Sequence, residues 1–275
     1  MRPRCGPDLP PVFRTSRPLV FAHRGGAGLA PENTLAAFAR GLAAGADGFE
    51  CDVHLSADGV PVVIHDPTLD RTTDATGPVA GRTAAELARV DAGYRFDAAA
   101  GAPWRGRGVG VPALEQVLTS HPEARVIIEM KLGGPALAEA VARVVRRADA
   151  VDRVCVGSFH VPTVAALRAA DPAIVSSASA REVQWTLYRS WTRWPAPPAT
   201  AYRAFQVPER SGRLRIVSAG FVRQVHREGC VVQVWVVDRP DDAARLLGWG
   251  VDGLITDRPD LIVPARDAFA LIFSP

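Results

Sequence analysis

The sequence predicts a (β/α)8 TIM barrel. Three observations predict it. A short apolar run followed by a helix-patterned stretch recurs eight times in order. No second composition regime interrupts the series. The acidic, histidine and lysine residues gather at the ends of the apolar runs. Regular strand–helix alternation implies a parallel sheet. Eight units in about 250 residues favour a closed barrel over an open doubly wound sheet. Short apolar strands suit a sheet covered on both faces. The open sheet remains the alternative, because the fourth to sixth helices are weakly marked.

Residues 18–23 (PLVFAH) read as the first buried strand, followed at once by Arg24-Gly-Gly-Ala-Gly28. That turn lacks the GxGxxG spacing of a dinucleotide loop, and Pro31-Glu32 intervenes before the helix. Asn33 or Thr34 caps a helix to about Gly45, with Leu35, Phe38, Ala39 and Leu42 on one face. Residues 49–54 form the second strand, around which the chain is organised. Period two puts Glu50, Asp52 and His54 on one face and Phe49, Cys51 and Val53 on the other. Neighbours on one face lie roughly 7 Å apart, where two carboxylates repel unless a cation sits between them. A divalent cation with oxygen ligands fits. Read alone, the same pattern also describes the wet face of an edge strand. A turn at Ala57-Asp58-Gly59 and an extended run over residues 60–64 then deliver His65 and Asp66.

Residues 66–111 break the rhythm. They are rich in Thr, Gly, Asp and Arg, with one short helical pattern at 83–90, and read as a long excursion from one end of the scaffold. Excursions of this length are often functional. Alternation resumes with a helix at 112–120, a buried strand at 125–130 (RVIIEM) and an amphipathic helix at 134–149. Strands at 153–157, 173–177 and 204–207 follow, separated by helices at 162–170 and 180–194. A helix at 218–228, a strand at 231–237, a helix at 240–247, a strand at 253–256 and a helix at 259–273 complete the chain.

At 48% apolar residues the 275-residue chain has ample core for one barrel, read as residues 18–275 after an N-terminal extension at 1–17. Its net charge of +3 comes from dispersed arginines, so no basic run argues for nucleic acid. A mild positive charge suits a phosphate-bearing small molecule. Cys5, Cys51, Cys155 and Cys230 show no CxxC spacing and read as buried free thiols, favouring a reducing compartment. Residues 1–18 lack an apolar signal core, and no run approaches the roughly 20 apolar residues that span a bilayer. The expectation is a soluble, cytoplasmic protein without stable membrane insertion, its N-terminus disordered or draped.

The active site of such a barrel lies at the C-terminal ends of its strands. His23 and Arg24 end the first strand, Glu50 and Asp52 lie on the second, and Glu129 and Lys131 end the third. Ser158, Ser176, Ser177, Glu209, Trp235, Asp238, Asp257 and Arg258 fall at the ends of the others. A carboxylate such as Glu129, after the apolar run Val126-Ile127-Ile128, calls for an ion pair or a metal. Three carboxylates on adjacent strands favour Mg²⁺ or Ca²⁺ over zinc. Arg24 and Lys131 then serve an anionic group, or else pair with Glu50 or Glu129.

These residues fall in a set of motifs: AHRGG, PENT, GADGFECDVHLSADGVPVVIHDPTLDRTT, IEMK, GSF, a tryptophan at position 235, and DGLITDRP. In that order and spacing, over residues 18–263, the chain resembles the glycerophosphodiester phosphodiesterases. The resemblance implies a (β/α)8 barrel with an insertion after the second strand. It implies Glu50, Asp52 and Glu129 as ligands of a divalent metal, Mg²⁺ or Ca²⁺. It implies His23 and His65 as the acid/base pair and Arg24 and Lys131 on the phosphate, with Phe159 and Trp235 walling the alcohol moiety. The reaction implied is hydrolysis of a small-molecule glycerophosphodiester to sn-glycerol-3-phosphate and an alcohol. Asp238 departs from the asparagine many relatives carry. The alternatives are a lysophospholipase-D-like hydrolase of lipid head groups and a catalytically silent phosphodiester-binding barrel. Trp185, Tyr188, Trp191 and Trp194 gather near the fifth helix, where core packing competes with a lid or an acyl-gripping patch.

Overall fold

The computed structural model describes residues 9–192, 197 and 200–273. Its strands are β1 (Leu19–Ala22), β2 (Gly48–Leu55), β3 (Pro61–Val63), β4 (Arg125–Met130), β5 (Val154–Gly157), β6 (Val175–Ser176), β7 (Ala204–Pro208), β8 (Arg210–Ser211), β9 (Leu214–Arg215), β10 (Val231–Trp235) and β11 (Gly253–Thr256). Eight of them pair in the parallel order β6-β5-β4-β2-β1-β11-β10-β7. A parallel bridge between Ser177 and Ala204 joins the two ends of that order, so the sheet closes. The barrel expected from the alternation is therefore present.

Helices α1 (Leu35–Ala43), α2 (Ala84–Leu87), α3 (Leu114–Ser120), α4 (Gly134–Arg147), α5 (Val161–Ala170), α6 (Ala180–Thr192), α7 (Ala219–Arg227), α8 (Pro240–Gly248) and α9 (Pro259–Phe273) complete the chain. Thr34 caps α1, its hydroxyl accepting from Ala37 N, and Thr83 with Glu86 forms a capping box on α2. The expected end of α6 at Trp194 lies outside the described residues. Two features differ from the expected pattern. The fifth barrel strand has two paired residues rather than five. A small hairpin, β8 with β9, rises after β7 where a plain loop was expected.

The insertion follows β3, which runs antiparallel to β2 through Val53 and Val63. Together they carry a separate apolar cluster, in which Val62, Ile64, Leu69, Val79 and Leu87 are buried. The base of the insertion is thus fixed to the strand that bears Glu50 and Asp52.

Alternation along each strand sorts the barrel interior by height. Leu19, Phe21, Ile127, Cys155, Val231 and Ile255 form an apolar lower layer. Inside the barrel Gln206 donates to Gln233 at 3.0 Å. Glu50, Asp52, Glu129 and Lys131 come next, at the C-terminal mouth. Of the N-terminal extension, expected to be disordered or draped, residues 1–8 lie outside the described residues and residues 9–13 contribute to the floor. Leu9, Val12 and Phe13, the last two in a short 3-10 turn, are buried against the lower layer. Phe13 belongs to one buried cluster with Leu19, Phe21, Ala204 and Val231. At Gly48 a Cβ would sit 2.1 Å from the Arg125 carbonyl oxygen, so only glycine lets β2 and β4 approach.

Candidate active site

Strand register brings the acids together. Asp52 of β2 stands opposite Glu129 of β4, and ligand oxygens of Glu50, Asp52 and Glu129 lie within 4.8 Å of one another. Glu50 and Asp52 are 5% and 1% exposed. Asn33 fixes Asp52 at two points: its amide donates to Oδ2 at 2.8 Å, and its carbonyl accepts from Asp52 N at 3.2 Å. Arg24 and Asn33 both have left-handed backbone, φ 50° and 59°, a conformation that side-chain-bearing residues adopt at a cost. It turns the Arg24 N–H toward Glu50 Oε2, 3.0 Å away.

Lys131 Nζ bridges Asp52 at 2.8 Å and Glu129 at 2.9 Å. Arg24 donates to Glu32 at 2.9 Å, and its Nε lies 3.3 Å from Asp52 with no hydrogen-bond partner. Asp52 is therefore well compensated: burial disfavours its charge, yet Lys131 and Arg24 hold its carboxyl below the usual range. Glu50 is not. Burial, aided by the Asp52 charge, pushes it up to about 8. Burial also raises Glu129, with Lys131 offsetting part of the effect. A set of three hard oxygen donors, two of them buried and Glu50 left undercompensated, fits a divalent cation.

Both histidines are dressed alike. His23 Nδ1 lies 2.7 Å from Asp257 Oδ1, and His65 Nδ1 lies 2.6 Å from Asp66 Oδ1. A carboxylate at Nδ1 fixes the tautomer with the proton there and leaves Nε2 for the cavity. His23 Nε2 is 3.9 Å from Glu50. Burial works against a charged His23 ring, but Asp257 and Glu50 more than offset it and raise its pKa. Asp238 in turn accepts from Thr256 Oγ1 and Asp257 N, both at 2.8 Å, so it orients the Asp257 backbone. His54 Nε2 contacts the His65 carbonyl at 3.0 Å and thus anchors that loop.

These groups open on one cavity of about 370 Å³. His23, Arg24, Glu50, His65, Glu129 and Lys131 form its charged end. Phe159, Val183, Leu187, Leu214, Ile216 and Trp235 line the remainder, with the Phe159 and Trp235 rings edge to face at 6.0 Å. Asp52 is not part of the wall; it lies deeper, under the two cations. Ser158 and Ser177 also reach the cavity, whereas Ser176 accepts from Arg168 and Glu209 pairs with Arg245. Trp185, Tyr188 and Trp191 are 53%, 47% and 61% exposed, so core packing does not account for them.

The Asp257–His23 contact escapes a reading of the sequence, which places Asp257 at the end of the last strand without a partner. The two residues are 234 positions apart and meet because β11 pairs with β1. The His65–Asp66 adjacency was visible in the chain but carried no signal of its own.

The profile of the glycerophosphoryl diester phosphodiesterase family matches residues 23–261. A glycerophosphodiester phosphodiesterase from Caldanaerobacter subterraneus subsp. tengcongensis is 32% identical over 253 residues, covering 89% of this chain and 96% of its own. Among solved structures, a glycerophosphodiester phosphodiesterase from Agrobacterium tumefaciens superposes with a TM-score of 0.73 at 30% identity, covering 90% of this chain and 99% of its own. A phosphodiesterase from Oleispira antarctica in complex with the product sn-glycerol-3-phosphate gives a TM-score of 0.75 at 26% identity, covering 91% of this chain and 97% of its own. The barrel and its acidic, imidazole-lined mouth are thus those of a hydrolase fold built for phosphodiesters. The chain belongs to the glycerophosphoryl diester phosphodiesterase family.

Proposed function

We propose that this protein hydrolyses glycerophosphodiesters to sn-glycerol-3-phosphate and an alcohol, with two histidines as acid and base and a divalent metal held by Glu50, Asp52 and Glu129. One observation carries the reading: two carboxylate-backed imidazoles face the same cavity as Glu50 and Glu129 of the acidic triad. The product bound in the Oleispira antarctica structure supports the substrate class.

A phosphodiester anion repels an incoming nucleophile, and its leaving alkoxide needs a proton. A bound Mg²⁺ or Ca²⁺ supplies charge neutralisation at the phosphoryl oxygens. The chain's own cations, Arg24 and Lys131, add fixed positive charge beside the same oxygens. Asp257 and Asp66 keep His23 and His65 in the tautomer whose Nε2 faces the cavity. One Nε2 takes the proton of the attacking hydroxyl and the other gives a proton to the departing oxygen. Phe159 and Trp235 form an apolar wall for the carbon skeleton of the alcohol. Cys51, Cys155 and Cys230 are buried free thiols, which supports a cytoplasmic setting. Among the described residues no helix is long and apolar enough to cross a membrane.

His23→Gln and His65→Gln test this directly. Each should lower kcat by roughly 10²–10⁴-fold while still binding sn-glycerol-3-phosphate. Wild-type kcat in either variant contradicts the acid/base assignment. The apolar half of the cavity also favours a second reading, in which the glycerol moiety of the substrate carries an acyl chain and the head-group alcohol leaves. Choline release from lysophosphatidylcholine at a rate comparable to that from glycerophosphocholine would establish it, and no release would exclude it.

A further inference from the structure

Arg71 lies in the insertion and makes none of the contacts described so far. Its guanidinium forks onto two carboxylates at once. Nη1 and Nη2 donate to Glu32 at 2.8 Å each. Nε and Nη2 donate to Asp66 at 2.6 and 3.2 Å. Those two carboxylates do not end the chain of contacts. Glu32 Oε1, which Arg71 holds, also accepts from Arg24 at 2.9 Å. Asp66 Oδ1, which Arg71 holds, also contacts His65 Nδ1 at 2.6 Å. The first βα loop and the start of the insertion are thus tied at one residue.

We infer that Arg71 is a positioning residue: through Glu32 it sets the Arg24 guanidinium, and through Asp66 it sets the His65 ring. The inference rests on the proposed function, in which Arg24 serves the phosphate and His65 moves a proton. Geometry makes arginine the residue for the task, because a planar fork meets two carboxylates bidentately and a lysine ammonium does not. Without it, Glu32 faces Arg24 alone and Asp66 is free to rotate away from His65. Small displacements of groups at a reacting centre cost rate steeply.

The experiment is Arg71→Ala, with Glu32→Gln and Asp66→Asn to separate the two branches. Asp66→Asn should lower chiefly kcat, and Glu32→Gln should raise chiefly KM. Arg71→Ala should do both, each by roughly 3–30-fold. Arg71 is partly exposed (47% of its side chain), so the fold should survive, with a melting midpoint within about 4 °C of wild type. The ¹⁵N shifts of the His65 ring give a readout independent of turnover, and they should move in Arg71→Ala. Unmoved ring shifts overturn the inference. So does an active wild type whose Arg71→Ala variant keeps either constant within about twofold. A wild type silent on glycerophosphodiesters whose ring shifts nevertheless move in the variant leaves the positioning role standing and removes the proposed activity instead.

Discussion

At the scale of the residue, the site works by pairing each group with a partner that fixes its charge and direction. Asp257 is the clearest case. In Asp257→Asn the His23 ring loses its carboxylate, and kcat should fall by roughly 10–100-fold with little change in KM; an unchanged kcat would show that His23 needs no partner. Glu50 gives a test without turnover. Its carboxyl is ordinary in the unfolded chain, near 4.5, and is held at about 8 in the fold. The folded state therefore keeps a proton that the unfolded state has released between those values. Stability of the metal-free protein should fall as pH rises from about 4.5 to about 8, and His23, whose pKa is also raised, acts in the same direction. Asp52, held low, loses its contribution only below pH 3.8. Urea unfolding of Glu50→Gln against wild type isolates the Glu50 share. Parallel pH profiles for the two proteins would refute it. Much of this scale was legible in the chain: the alternation of Glu50 and Asp52 and the position of Glu129 follow from strand period alone. The Asp257–His23 and Arg71–Glu32 contacts were not, because they join residues 234 and 39 positions apart, and only barrel closure or the fold of the insertion brings them together.

At the scale of the element, the strands were easier to place than their ends. RVIIEM reads as a strand from its apolar run, and its bounds agree with β4. The fifth strand was overextended, since residues 173–177 have the composition of a strand but only Val175 and Ser176 have ladder partners on β5. The hairpin of β8 and β9 was missed because Arg210 to Arg215 shows no apolar alternation. The floor of the barrel was missed for another reason. A proline- and arginine-rich N-terminus looks unfoldable by composition, and Val12 and Phe13 count as core only once the closed barrel presents Leu19, Phe21 and Val231 to them. Phe13→Ala should cost about 3–5 kcal/mol, a drop on the order of 10 °C in melting midpoint. Because the floor lies at the opposite end from the mouth, kcat at low temperature should stay near wild type. An unchanged midpoint would mean the turn at Pro11–Phe13 only covers the floor and does not complete it.

At the scale of the whole molecule, the barrel separates duties between its ends. Apolar side chains and the N-terminal turn close one end, and charge collects at the other, where strand order places β11, β1, β2 and β4 side by side. That order is what turns four separate sequence motifs into one site. A mild net charge of +3 and an acidic cluster beside two cations suit an anionic small molecule arriving with a divalent ion. The most direct measurement is release of sn-glycerol-3-phosphate from glycerophosphocholine by EDTA-treated protein, before and after Mg²⁺ or Ca²⁺ is returned, with Glu50→Gln alongside. Release that appears only with the metal, and not in Glu50→Gln, is the predicted result. Release that persists in EDTA, or that neither ion evokes, would contradict the account.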